Sequence, residues 1–431
     1  CETIHSFHGE GCTAQLASLQ RGSDRNSRMA QPVITRLATD IGGTFTDIVL
    51  ERGDKRFTTK LLTTPQAPEE AVVEGTRLVL KEAGIGFSDL DVFVHGTTLA
   101  TNAVIERKGA RTALIATEGF RDVIEIADES RYDQYDVFID KPRQLVPRQL
   151  RFTVPERIDV MGKVWVDLDE AAVRKVAKAL KAEKVEAVAV AFIHSYANGA
   201  HEQRVRDILA NEAPDIAVTL SSEVCPEMRE YERTSTAVAN AYVQPLMAGY
   251  LGRLKARFAA EGYKKPIHLM TSGGSLATLE TAARFPIRLV ESGPAGGAIL
   301  AAYIAAERGE DKVLSFDMGG TTAKICLIHD ATPYKARTFE VDRQSRFMKG
   351  SGLPVRIPVI EMVEIGAGGG SIARVDALKR ITVGPDSAGS VPGPACYGRG
   401  GELPTVTDAD VAIGKIEPAR FAGGAIKLYP E

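Results

Sequence analysis

From Val33 onward, short runs of aliphatic and β-branched residues alternate with amphipathic segments of helical length, the rhythm of a sheet covered by helices. Strands are expected at Val33–Asp40 and Thr46–Glu51, around a glycine turn. The spacing of Ala71, Val72, Gly75, Leu78 and Val79 predicts a helix over Pro68–Ala83 that stops at Gly84. Strands at Val92–His95 and Thr112–Thr117 bracket a helix over Leu99–Gly109. Helices at Asp169–Glu183 and Ala200–Asn211 flank the apolar run Ala187–Ile193, which reads as a buried strand. Between them, Glu125–Arg157 is polar and rich in Tyr and Pro, the composition of a long excursion over the surface or a cleft.

After Pro226 the pattern shifts to long Ala- and Leu-spaced helices, Glu227–Tyr242 and Pro245–Glu261, and a second lobe is expected to begin there. It continues through a strand at Ile267–Thr271, a turn at Ser272–Gly274, a helix opening near Pro294, a strand at Val313–Asp317 and dense glycine clusters to Gly424. The expected organisation is therefore a first lobe over 33–225 and a second over 226–431. The second is read as truncated, since its last residues offer no closing helix. Residues 1–28 are polar and lack an apolar signal core, while Met29 immediately precedes the first strand, so they are read as a non-native or disordered leader.

Composition narrows the function classes. The 431 residues are 44 % hydrophobic and 25 % charged with a net charge of −3, an ordinary globular profile without the basic footprint of nucleic-acid or anionic-membrane binding. Apolar runs are strand-sized, so no membrane span is expected. Five scattered cysteines without a C-x-x-C pair suggest neither a disulfide framework nor a zinc ribbon, which fits a cytoplasmic protein.

The forty glycines carry the chemistry. DIGGTFTDIVL at Asp40–Leu50 and DMGGTTAKICL at Asp317–Leu327 match at six of eleven positions, and both read as strand, glycine turn, strand. Paired glycines let backbone N–H groups approach an anion, and the following Thr adds a hydroxyl donor. The phosphate candidates are Gly42, Gly43 and Thr44 in the first turn, with Gly319, Gly320, Thr321 and Thr322 in the second. An Asp cannot sit against bare phosphate, so Asp40 and Asp317 become candidate catalytic and metal residues acting through Mg²⁺ or its water; the alternative is a local Asx-type cap. Two such turns facing one another would grip the phosphates of ATP. No G-x-x-x-x-G-K-[ST] is present, and Gly366–Ser371 lacks the dinucleotide spacing.

This pair of turns resembles the two-lobed α/β ATPase fold of the actin, sugar-kinase and Hsp70 superfamily. HGTTLATNAVIERKGARTAL at His95–Leu114, ESGPAGG at Glu291–Gly297, EIGAGGGSIA at Glu364–Ala373, VGPDSAGSVPGPACYGRGG at Val383–Gly401 and TVTDAD at Thr405–Asp410 extend the likeness. Together they are similar to the hydantoinase A / 5-oxoprolinase family over about Leu37 to the end. That resemblance implies an ATP- and Mg²⁺-using subunit that phosphorylates the carbonyl of a cyclic imide or lactam, hydantoin or 5-oxoproline in type, for ring opening. A B-type partner subunit would complete the hydrolysis. Ketone activation, as in acetone carboxylase, is the alternative on the same scaffold, followed by a sugar kinase or regulatory ATPase.

The resemblance also places a glycine-rich adenosine turn after the second phosphate turn, making Gly368, Gly369 and Gly370 adenosine or ribose contacts, or simply a structural turn. His95 ends a strand beside Gly96, Thr97 and Thr98, where ligands collect in such sheets, and is a candidate for substrate contact or proton transfer; a satisfied structural histidine is the other reading.

Overall fold

A computed structural model of the chain describes residues 33–42, 45–64, 66–128, 131–320, 323–343, 348–365, 367–389, 391–424 and 427–430. The expected leader, Gly43, Thr44, Thr321, Thr322 and Gly366 lie outside the described residues.

β1 (Thr35–Ile41), β2 (Phe45–Arg52) and β3 (Lys55–Leu62) make an antiparallel meander. α1 (Pro68–Ala83) then crosses to β4 (Val92–Thr97), which lies parallel to β1. β3 is not legible from periodicity because it is an edge strand with mostly exposed or half-buried residues on both faces. α1 keeps its expected bounds for local reasons. Pro68 occupies its first turn with Glu69 and Glu70 beside it, and Gly84 ends it in the left-handed region at φ 69°.

The chain continues through α2 (Leu99–Ile105), β5 (Thr112–Thr117), β6 (Arg151–Val154), α3 (Glu170–Ala182), β7 (Ala187–Ala191), α4 (Ala200–Glu212) and β8 (Ala217–Leu220). The four strands form a parallel sheet ordered β8-β7-β5-β6. β5 and β7 are buried at every residue, as their unbroken apolar sequence requires.

α5 (Glu230–Ala260) runs unbroken where two helices are expected, carrying Pro245 inside it. An interior proline removes a helical hydrogen bond and costs about 3 kcal/mol. Here both halves of the helix are anchored in one core, by Ala237, Ala241 and Val243 before the proline and by Met247, Leu251, Leu254 and Phe258 after it. The Tyr242 carbonyl also accepts from the Ala110 N–H at 2.8 Å, an approach possible because Gly109 has no side chain to meet the Tyr242 ring.

β9 (Ile267–Met270) and β10 (Leu276–Thr278) then complete the first sheet, in the order β10-β9-β4-β1-β2-β3. Residue 226 lies just ahead of α5, whose buried side chains belong to the same core as the first sheet. The shift to Ala-rich helix marks a helix buried between two sheets, and β9 returns to pair with β4.

α6 (Ser292–Arg308) leads into the second sheet, built on β11 (Lys312–Met318), β12 (Ala323–His329) and β13 (Val363–Ile365). Its small core packs Ala295, Ala298 and Ala302 of α6 against Cys326, Ile328 and Ile360. The hairpin of β14 (Ser371–Val375) and β15 (Ile381–Ser387) and the helix α7 (Val406–Ala412) follow, the helix opened by a capping box between Thr405 and Asp408. Among the described residues, no helix is long and apolar enough to cross a membrane.

Candidate functional site

The repeated motifs form congruent hairpins. In the first, Asp40 on β1 pairs in register with Asp47 on β2. In the second, Asp317 on β11 pairs with Lys324 on β12, at the same two places in the motif. Gly42 closes the first turn through its N–H to the Phe45 carbonyl at 2.8 Å, and its own carbonyl accepts from the Thr63 hydroxyl at 3.0 Å.

Asp40 sits at the floor of a pocket of about 220 Å³ lined by Asp47, Gly96, Ser292, Gly293 and Gly296 among others. Two glycines make room for its carboxylate. A Cβ on Gly96, its register partner on β4, would lie 2.7 Å from Oδ1, and one on Gly293 would lie 3.2 Å from Oδ2. Asp40 Oδ1 is shielded from solvent and has no hydrogen-bond partner. Burial first, and then the charge of Asp47, raises the Asp40 carboxyl above its ordinary range; Lys60 opposes this and Asp317 adds to it. Lys60 on β3 binds both Asp47 oxygens at 2.6 Å, leaving Asp40 as the uncompensated carboxylate. Asp317 is exposed on the second hairpin, and its charge is felt electrostatically at Asp40.

Ser292 ties this site to β4: its hydroxyl donates to the Thr97 carbonyl at 3.2 Å and accepts from the Thr97 N–H at 3.4 Å. The ESGPAGG segment thus both packs against the first sheet and lines the Asp40 pocket.

His95 is placed elsewhere. Strand alternation turns Asp40 and Gly96 to one face of the sheet and Thr39 and His95 to the other. There His95 is fully buried, with Nδ1 at 2.6 Å from the Thr39 hydroxyl and Nε2 at 2.7 Å from the Tyr250 hydroxyl of α5. Burial pushes its pKa down to about 4, so the ring is neutral. Of the readings offered for it, the packing favours the hydrogen-bonded core histidine, because successive residues of a strand turn to opposite faces.

Gly368, Gly369 and Gly370 buttress the second hairpin. The Gly369 N–H donates to the Gly319 carbonyl at 2.9 Å and the Gly370 N–H to the Gly320 carbonyl at 2.7 Å. The Gly368 N–H donates to Ser371 Oγ at 2.9 Å. With all three amides engaged, these glycines hold the carbonyl edge of the second glycine turn. A Cβ on Gly370 would meet Ser387 Oγ at 2.8 Å and the Gly320 carbonyl at 3.0 Å, which explains a glycine there.

Two family descriptions match this sequence: the Hydantoinase/oxoprolinase N-terminal region over residues 36–213 and Hydantoinase/oxoprolinase over residues 233–431. The chain belongs to the hydantoinase/oxoprolinase family.

Among its relatives is an uncharacterised protein of Methanocaldococcus jannaschii, 40 % identical over 91 % of this chain and 58 % of that protein. The alpha subunit of the caprolactamase of Pseudomonas jessenii is 36 % identical over 91 % of this chain and 56 % of its own length. A crystal structure of the ATP-dependent caprolactamase of that organism superposes with a TM-score of 0.77 at 36 % identity, covering 91 % of this chain and 57 % of the other. A nucleotide-free acetone carboxylase superposes with a TM-score of 0.75 at 28 % identity, covering 92 % and 57 %. The chain spans a little over half the length of these relatives. The fold shared with these family members is the two-lobed actin-like ATPase fold.

For this hydantoinase/oxoprolinase chain, Mg²⁺ fits the donor set. Among the described residues no three His, Cys, Asp or Glu side chains converge as a ready-made metal cage. Mg²⁺ characteristically uses one or two carboxylates and completes its shell with water and substrate phosphate. Asp40, with its orphaned Oδ1, and Asp317 offer that kind of site.

Sequence reasoning missed Gly96, Ser292 and Glu202. The first two have a visible signal, small residues in motifs flanking the aspartates. Glu202 has none, because its role depends on elements far apart in sequence. It is fully buried on α4 and accepts from the Phe192 N–H at 2.9 Å, the Ser221 hydroxyl at 2.7 Å and the Ser222 N–H at 2.9 Å. The excursion loop residues considered for the cleft are tied up in the loop itself: Asp122 pairs with Arg148 at 3.0 Å, Tyr132 donates to the Asp140 carbonyl, and Tyr135 is 95 % exposed.

Proposed function

We propose that this chain is the nucleotide-handling part of an ATP-dependent enzyme that activates the carbonyl of a cyclic amide, of hydantoin, 5-oxoproline or larger lactam type, for ring opening. The observation that carries this reading is the pair of hairpins in one register, the first of which sets its aspartate, Asp40, in a pocket cut to shape by Gly96 and Gly293. The family description and the caprolactamase relative support the cyclic-amide class.

A lactam carbonyl is resonance-stabilised and resists attack by water. Transfer of the terminal phosphoryl group breaks the bond between the β- and γ-phosphates, forms a bond to the carbonyl oxygen and releases ADP. Water then adds to the carbonyl carbon and the ring C–N bond breaks, leaving an acyl phosphate, which a second water hydrolyses to the carboxylate and inorganic phosphate. The protein's task is positioning and charge neutralisation. Gly42 and Gly43, with Gly319 and Gly320, would bring backbone close to the phosphates, and Thr44, Thr321 and Thr322 would add hydroxyl donors. Asp40 and Asp317 would hold Mg²⁺, which neutralises phosphate charge when bound. Gly96 and Gly293 keep the Asp40 carboxylate in place. Gly368–Gly370 fix the second turn, and His95 anchors β4 to α5 from behind.

The relatives named as subunits support a partner chain, of B type, that completes hydrolysis. Likeness to acetone carboxylase supports a second reading, ketone activation for carboxylation on the same nucleotide site. Phosphate release from Mg·ATP, measured with hydantoin, 5-oxoproline or caprolactam and separately with acetone plus bicarbonate, decides between them. Stimulation by a ring compound is expected. Stimulation by acetone and bicarbonate alone would replace the first reading with the second, and no nucleotide turnover under any condition, partner included, would refute both.

A further inference from the structure

The two hairpins share a register but differ chemically at one place. The position opposite the motif aspartate is Asp47 in the first and Lys324 in the second. Each of these pairs with an opposite charge: Asp47 with Lys60 on the neighbouring strand, Lys324 with Glu291, the residue before the pocket-lining Ser292.

Glu291 is an unusual holder. It directly precedes Ser292 and Gly293, which line the pocket, and its backbone is left-handed at φ 63° without being glycine. Such a conformation persists only where surrounding contacts over-determine it, and it clusters at ligand clamps and switches. The Glu291 N–H reaches the Thr101 hydroxyl of α2 at 3.4 Å, and its carboxylate takes Lys324. The Lys324 side chain is 17 % exposed and the Glu291 side chain 29 %, so the pair is partly withdrawn from water, where charge–charge terms strengthen.

We infer that Lys324 is a phosphate-binding residue of the second hairpin, held by Glu291 next to the pocket-lining Ser292 and transferred to the terminal phosphate when a nucleoside triphosphate enters. The inference rests on the nucleotide reading above and adds to it a residue and its exchange partner. A terminal phosphate carries more negative charge than a carboxylate and offers three acceptor oxygens. An ammonium on a flexible stem can change partners without moving the backbone. The first hairpin has a carboxylate at the equivalent place, which repels phosphate. The two hairpins therefore differ at this position, where the first adds a second carboxylate beside Asp40 and the second adds an ammonium for the phosphate.

Calorimetric titration with ADP and with the non-hydrolysable β,γ-imido analogue of ATP, with and without Mg²⁺, tests this on the wild type, Lys324→Gln, Lys324→Arg and Glu291→Gln. Lys324→Gln is expected to lose about tenfold in triphosphate affinity, roughly 1.4 kcal/mol, with a smaller loss for ADP, also in the absence of Mg²⁺. Lys324→Arg, which keeps the charge and serves as the folding control, retains the preference for triphosphate. Glu291→Gln binds the triphosphate analogue more tightly than wild type, because the lysine no longer has to leave a carboxylate. Unchanged triphosphate affinity in Lys324→Gln, or equal weakening of both nucleotides by Glu291→Gln and Lys324→Gln as for a merely structural ion pair, would overturn the inference while leaving the nucleotide reading intact. Failure of the wild type to bind either nucleotide would remove both.

Discussion

Asp40 and Gly96 face each other across the parallel β1–β4 pair, so close that a single Cβ on Gly96 would come within 2.7 Å of the Asp40 Oδ1. The glycine is there for its neighbour's carboxylate rather than for its own backbone. Gly96→Ala must push the carboxylate aside or bend β4. A displacement on the 1 Å scale in a catalytic constellation costs about 100-fold in rate. The expected outcome is an ATP turnover about 100-fold lower with a largely unchanged circular-dichroism spectrum; wild-type turnover would show that the carboxylate's position is immaterial.

The Asp40 carboxylate is costly to the fold. Its raised pKa means that the folded state holds the proton more tightly than the unfolded chain does. Its contribution to stability is therefore most favourable below the unfolded carboxyl pKa and declines as pH rises through the unfolded and then the folded value. Asp40→Asn removes that cost at neutral pH. Thermal unfolding should show a Tm rise on the order of 1–2 °C together with loss of Mg²⁺-dependent ATP cleavage. A Tm decrease would contradict the electrostatic account.

His95 gives the opposite pH dependence. Its pKa of about 4 in the fold lies below the ordinary value of 6.5, so the unfolded chain binds more protons between the two. Stability is fully present above pH 6.5 and is lost as pH falls toward 4, with about 2 kcal/mol gone by pH 5. In His95→Gln, denaturant unfolding at pH 7 should show a loss of about 1–3 kcal/mol, since the hydroxyls of Thr39 and Tyr250 lose a well-placed partner. The difference from wild type should shrink at pH 5. A variant that stays equally stable but loses the basic or acidic limb of its pH–rate profile would restore a proton-transfer role.

Glu202 holds together the ends of β7, β8 and α4. Truncation to Ala leaves two backbone N–H groups and a Ser221 hydroxyl buried without their acceptor. The expected cost is about 3–5 kcal/mol by urea denaturation, with Glu202→Gln recovering part of it. Nucleotide affinity per folded molecule should be unchanged, since Glu202 does not line the Asp40 pocket.

Local chemistry is what the sequence states openly. α1 is bounded by Pro68 and Gly84, β5 and β7 by unbroken apolar runs, and the two phosphate hairpins by their repeated D-x-G-G-T turns. Each of these rests on interactions within a few residues, or on a burial so complete that composition reveals it. α5 and β9 are different. The first half of α5 is buried at every residue from Arg233 to Val243 and so shows no stripe to say which neighbours it packs against, and Pro245 reads as a break until both halves share one core.

At the site, the sequence by itself determined that two aspartates and two glycine turns recur in the same order, the basis for expecting two hairpins to serve one anion. Only the tertiary structure decided which neighbours act with them. Strand alternation turned His95 away from the pocket, although it adjoins Gly96 in sequence, and parallel register put Gly96 against Asp40 from 56 residues away. The return of α6 to β4 brought Gly293 to the same carboxylate and set Glu291 beside Lys324. A side chain's type is written in the chain, but the face it turns to and the charge it meets are set by register and packing.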